Sequence, residues 1–216
     1  MNRPFVKVCG ITRREDAAAA VQAGADAIGF VLVPESPRHI APPDARDIAS
    51  SLPDHVARVG VVVDLPVETV QKLVREIGLT AVQAHGSESP EVCRAFGVSV
   101  VKAFPVPAGF DLMTLAGYEE FPVLLDGHGG ERRGGTGIPA DWDKARAAGK
   151  AGYRVLLAGG LGEANLLEAV RMVNPVAVDL NSGVETEPGR KDVQKIRAAI
   201  DRLGSLSPVE EASWPW

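Results

Sequence analysis

The chain has 216 residues, 45% hydrophobic and 24% charged, with two cysteines and a net charge of −5; that supports one sizeable core or two small domains of ordinary soluble composition. The acidic balance gives no footing for a nucleic acid or an anionic membrane surface, and no apolar run approaches the roughly 20 residues of a membrane span. The N-terminus lacks the shape of a signal peptide and two cysteines make no disulfide framework, which predicts a reducing cytoplasm.

In chain order, apolar Val-rich runs predict strands at residues 5–9, 27–33, 56–63, 80–85, 99–104, 122–126, 154–158 and 177–180. Continuous runs of this kind suit strands covered on both faces. Helical patterns lie between them, among them the stripes Val67, Val70, Val74, Ile77 and Val193, Ile196, Ile200, Leu203. Thr12 and Glu15 have capping-box spacing and predict a helix start. Gly24, Gly78 and Gly97 each close a helical pattern before the next strand, where a left-handed cap is expected. Eight strand–helix units without a linker predict a single-domain α/β fold, a (β/α)8 TIM barrel over residues 1–204. An open doubly wound sheet is the rival, but no Gly-x-Gly-x-x-Gly fingerprint follows the first strand. Residues 205–216, with two prolines and two tryptophans, predict a loosely held C-terminal tail.

Alternate strand residues of a barrel point into its centre, where an unpaired polar group costs several kcal/mol. Cys9 shares a face with Lys7, and His85 with Gln83; Asp126 and Asp179 end their strands. Cys9, His85, Asp126 and Asp179 fall at the C-terminal rim, where barrel active sites form. Each has a plainer role open to it. Cys9 suits a small buried hydrophobe, and Lys7 with Asp126 or Asp179 an internal ion pair. Asp126 could cap its loop, and His85 could be a satisfied strand-end histidine. Cys93, inside a helical pattern, reads as packing. No Cys/His/Asp/Glu cluster has metal-site spacing.

Glycine turns follow the late strands at Gly134-Gly135-Thr136-Gly137, Gly159-Gly160-Leu161-Gly162 and Ser182-Gly183. Glycine lets backbone N–H groups converge on an anion, and the loops after strands seven and eight of a barrel often bind phosphate. A sugar phosphate is the substrate class these turns predict.

The segments Lys7-Val-Cys-Gly-Ile-Thr12, Gly29-Phe-Val, Ser36-Pro-Arg-His-Ile40, Val59-Gly-Val-Val-Val63, Val82-Gln-Ala-His-Gly86, Leu124-Leu-Asp126, Gly134-Gly-Thr-Gly137 with Asp141-Trp142, Leu157-Ala-Gly-Gly-Leu161 and Asp179-Leu-Asn-Ser-Gly-Val-Glu185 followed by Gly189-Arg-Lys-Asp192 run in order through nearly the whole chain. This ordered set resembles phosphoribosylanthranilate isomerase, a single-domain barrel of tryptophan biosynthesis. The resemblance implies a cofactor-free, metal-free Amadori rearrangement of an aminoaldose phosphate to an aminoketose phosphate. It implies Cys9 as general base and Asp126 as general acid. Arg38 matches the position for the anthranilate carboxylate and Asp179 one near the ribose, with His85 also on the substrate. Gly135, Gly160, Ser182 and Gly183 match the phosphate cradle.

The chemistry asks for a thiolate of lowered pKa, which Lys7 beside Cys9 could provide, and for a carboxyl that keeps its proton near pH 7. Ala84, where a larger aliphatic is usual, and Ile138-Pro139-Ala140 depart from the family pattern. The implied partner is a small phosphosugar, and both a monomer and a homodimer suit the fold. Three rivals share the architecture. A sister isomerase of histidine biosynthesis would carry aspartate in place of Cys9. Indole-glycerol-phosphate synthase would need a catalytic lysine and an N-terminal extension. A non-catalytic phosphosugar-binding barrel would lack the acid or the base.

Overall fold

The computed structural model describes residues 2–107, 109–127 and 141–207. Gly135 with its glycine turn, the departure at residues 138–140 and residues 208–216 of the tail lie outside the described residues.

Eight parallel strands close a barrel in sequence order: β1 (Phe5–Val8), β2 (Ala27–Val31), β3 (Ala57–Val62), β4 (Ala81–Ala84), β5 (Ser99–Val106), β6 (Val123–Gly127), β7 (Val155–Leu157) and β8 (Ala177–Leu180), with β8 paired to β1. This is the predicted fold. Around it, among the described residues, stand α1 (Arg14–Gln22), α2 (Pro42–Ala49), α3 (Val67–Ile77), α4 (Pro90–Ala95), α5 (Trp142–Lys150), α6 (Leu166–Val173) and α7 (Val193–Asp201).

Two expectations from the sequence give way. Eight helices were expected, but the described part of the β5–β6 connection carries only a 3-10 turn, Leu112–Leu115. Pro105 and Pro107 remove backbone donors there. Gly109 at φ 86° and Gly117 at φ 90° turn the chain at either side, so no room remains for an α-helix. The capping box is also absent. α1 begins after Arg13, which makes no side-chain cap, and the Thr12 hydroxyl instead donates to the Gly189 carbonyl at 2.5 Å. A long-range partner has outcompeted the local one. The glycine caps do form: Gly24, Gly78 and Gly97 sit at φ 96°, 76° and 70°.

Strand alternation sorts the core into two parts. Val6, Val8, Ile28 and Phe30 face outward and pack under the helices, in the cluster that includes Val70, Ile77, Ile196 and Ile200. Facing inward, Ala27, Ala57, Val59 and Ala81 form one small cluster, and Val101, Ala103, Leu124, Leu156 and Ala177 form another with Phe5. Small side chains on β2, β3 and β4 leave room for Lys7, which lies inside the barrel only 1% exposed. Register sets Lys7 directly opposite Asp179. Beyond α7, Leu206 packs on the core and Ser207 bridges to Asn2.

Candidate active site

The barrel opens at the C-terminal ends of its strands into a cavity of about 1020 Å³. Seven of the nine predicted site residues line it: Cys9, Arg38, His85, Asp126, Gly160, Asp179 and Ser182. They come from six different connections, so only closure of the barrel brings them together. Gly183 lies just behind, and Gly135 is outside the described residues.

Cys9 is the first residue past β1. Its backbone N–H bonds to the Leu180 carbonyl at 2.8 Å, which fixes where the strand ends and the thiol enters the cavity. Gly29 on the neighbouring strand makes room: a Cβ there would lie 2.7 Å from Sγ and 3.1 Å from Lys7 Cε. Behind the thiol, Lys7 Nζ donates to Asp179 Oδ2 at 2.8 Å, in a pair whose side chains are 1% and 7% exposed. Buried pairs of this kind are costly to break from one side. Asp179→Ala, which leaves the Lys7 ammonium unpaired, is therefore expected to lower unfolding free energy by about 3–5 kcal/mol in urea titrations at pH 7. Oδ1 of Asp179 is buried and has no hydrogen-bond partner among the described residues, and Asp179 is one of the residues that line the cavity.

Electrostatics act on Asp126 and Cys9 in different ways. Burial pushes the Asp126 carboxyl up to about 7, and the negative charge of Asp179 adds to that; the Gly127 N–H and Lys7 pull back incompletely. This meets the requirement for a carboxyl that keeps its proton near neutrality. Cys9 does not meet its own expectation. The thiol was expected to be lowered by Lys7, yet burial raises it above its ordinary 9.0; Lys7 opposes the rise and Asp179 reinforces it. Much of the Lys7 charge is already answered by Asp179. The stable form of Cys9 at neutral pH is thus the thiol.

His85 follows β4, and its Nδ1 stands 2.9 Å from Gln83 Nε2. Gly159 and Gly160, at φ 94° and 60°, turn the chain after β7 in left-handed conformations that favour glycine. The Asn165 side chain braces that turn, accepting from Gly162 N at 2.9 Å and donating to the Gly160 carbonyl at 3.1 Å. A Cβ on Gly183 would overlap the Leu161 carbonyl, so the loops after β7 and β8 sit backbone against backbone. Arg38 is pinned by a buried pair with Glu185, Nη2 to Oε2 at 2.7 Å.

No local pattern in the sequence marks Glu185 and Lys191 as functional positions, and Asn181 is marked only as the start of the loop after β8. Asn181 lines the cavity, and Lys191 Nζ holds both its Oδ1, at 2.8 Å, and Glu185 Oε1, at 2.7 Å. These three meet because the chain after β8 forms a short hairpin, β9 (Glu185–Glu187) with β10 (Arg190–Lys191). Strands of three and two residues leave no readable periodicity. Among the described residues, no three His, Cys, Asp or Glu side chains are grouped as metal ligands.

The sequence pattern of N-(5'-phosphoribosyl)anthranilate (PRA) isomerase matches residues 6–202. The chain belongs to the PRA isomerase family. A relative from Trichlorobacter lovleyi, an N-(5'-phosphoribosyl)anthranilate isomerase, is 48% identical over 195 residues, spanning 90% of this chain and 95% of its own. The PRA isomerase structure from Thermotoga maritima superposes with a TM-score of 0.88 at 40% identity, covering 94% of this chain and 100% of that one. A further PRA isomerase structure, in complex with reduced 1-(o-carboxyphenylamino)-1-deoxyribulose 5-phosphate, matches with a TM-score of 0.84 at 40% identity, with coverage of 94% and 100%. Membership in the PRA isomerase family agrees with both the closed eight-stranded barrel and the chemistry of its rim.

Proposed function

We propose that this chain performs the PRA isomerase reaction of tryptophan biosynthesis with Asp126 as general acid and Cys9 as general base. The observation that carries this is a carboxyl raised to about 7 in the same cavity as a buried cysteine. Asp126 gives its proton to the furanose ring oxygen. The C1–O bond breaks toward that oxygen while the nitrogen lone pair forms the C1=N Schiff base. The iminium acidifies C2; the Cys9 thiolate takes the C2 proton, and the freed electron pair becomes the C1=C2 bond of an enolamine. Loss of the C2 hydroxyl proton and protonation at C1 give the aminoketose. Acid and base catalysis of this kind supplies about 10²–10⁴-fold each.

The working pair, thiolate and carboxylic acid, holds the same number of protons as thiol and carboxylate. Because the thiol titrates above the carboxyl, the working fraction is constant between the two pKa values and falls outside them. Arg38 takes the anthranilate carboxylate, for which a guanidinium fork is well shaped. Asp179 Oδ1 accepts from a ribose hydroxyl, His85 contacts the substrate, and Gly135, Gly160, Ser182 and Gly183 form the phosphate cradle. Gly183→Ala, which forces the loops apart, is expected to raise KM about tenfold or more and to weaken competition by inorganic phosphate, with kcat changed less.

No helix among the described residues is long and apolar enough to cross a membrane, and both cysteines are free; a small-molecule enzyme of the cytoplasm fits both facts. The deciding assay follows the fluorescence of freshly generated phosphoribosylanthranilate. Rapid loss of signal with formation of the ketose phosphate is expected. Phosphosugar binding without turnover would instead indicate a binding barrel, and turnover only of the histidine-pathway aminoaldose would indicate the sister isomerase.

A further inference from the structure

Arg38 lines the cavity, but its ion-pair partner Glu185 does not. The pairing is more than a single contact. Arg38 Nε donates to Oε1 at 2.9 Å and to Oε2 at 3.1 Å, and Nη2 donates to Oε2 at 2.7 Å. Glu185 is itself held, its Oε1 accepting from Lys191 Nζ at 2.7 Å and from Gly189 N at 3.1 Å. The Arg38 stem is confined as well: a Cβ on Gly10, the residue after Cys9, would lie 2.9 Å from Arg38 Cδ and 2.8 Å from Asn181 Oδ1. Among the described residues, Nη1 of Arg38 makes no hydrogen bond.

We infer that Glu185 is a positioning residue for substrate recognition: by engaging Nε and Nη2 it fixes the guanidinium plane and leaves the Nη1 edge for the carboxylate on the substrate's aromatic amine. The inference rests on Arg38 being the carboxylate's partner. Preorganisation of this kind removes the cost of ordering a long side chain at the moment of binding. Burial works to raise Glu185, but the hydrogen bond from Arg38 and the charge of Lys191 outweigh it and hold the carboxyl below its usual range, so it stays ionised at neutral pH. On charge alone, Glu185 opposes the binding of a second carboxylate nearby. Removing it would then tighten binding, whereas loss of positioning weakens it. The sign of the change separates the two.

The test is steady-state kinetics of Glu185→Gln in the full chain, on phosphoribosylanthranilate and on the aniline analogue that lacks the carboxylate. The expected result is a KM raised about tenfold for the anthranilate substrate, with kcat within about twofold and little change on the analogue. An unchanged or lowered KM, or an equal rise on both substrates, overturns the proposal. Glu185→Asp keeps the charge but falls one methylene short of the paired geometry; it is expected to show the same selective rise and carries the test if the Gln variant does not fold. Arg38→Met separates the premises. If it leaves KM for phosphoribosylanthranilate unchanged, the carboxylate assignment fails; if it raises KM while both Glu185 variants do not, the positioning role alone fails.

Discussion

Cys9→Ala is expected to lower kcat by about 10²–10⁴-fold while the barrel still folds and still binds the product phosphosugar. The thiol is small and sits at the barrel mouth, so its removal leaves only a slight cavity beside Val31 and Val61. Loss of proton abstraction at C2 is the dominant effect, and stopped-assay turnover beside product titration separates it from lost binding. Cys9→Ser controls for volume: a hydroxyl fills the same space but is far too weak an acid to ionise, so it is expected to fall nearly as far. Turnover near wild type in either variant removes the base assignment. The raised thiol pKa makes a second expectation. Alkylation of Cys9 by iodoacetamide is expected to be slow at pH 7 and to accelerate with a midpoint above the ordinary 9.0.

Asp126→Asn is expected to cost a comparable factor, because an amide has no proton to give the ring oxygen. It also tests the electrostatics. In the wild type, kcat/KM is expected to rise through about pH 7, where Asp126 titrates, and to fall again at the higher pKa of Cys9; a limb near 4 instead of 7 would contradict the burial argument. Stability has its own pH signature. The folded pKa of Asp126, about 7, lies above its ordinary 3.8, so its contribution is fully present below pH 4 and is lost as the pH rises through 7. A rise of that size corresponds to about 4 kcal/mol. The Asn variant, neutral throughout, is therefore expected to have the higher urea midpoint at pH 8 and no such advantage at pH 4.

The strands were legible because a strand buried on both faces has to be continuously apolar, and the polar exceptions at Cys9, His85, Asp126 and Asp179 stood out against that background. Helix starts were less legible. Thr12 carries a local capping pattern, yet its hydroxyl bonds to Gly189, 177 residues away. Local spacing records only neighbours in the chain, and here a partner from the other end of it prevails. The thiol pKa was misjudged for a related reason: Lys7 is near Cys9 in sequence, but Asp179, brought opposite it by closure of β1 onto β8, takes its charge.

The sequence by itself determined the eight strands, the barrel they make and the placing of Cys9 and Asp126 at strand ends, because strand periodicity and the residue types at strand ends are local properties. Only the tertiary structure decided how those groups are tuned and oriented. Burial raises Asp126 and Cys9, and the hairpin after β8 delivers Glu185 and Lys191 to Arg38. Desolvation and ion pairing depend on what closes around a group, and that is settled only when residues 7, 38, 126, 179 and 185 meet in one barrel.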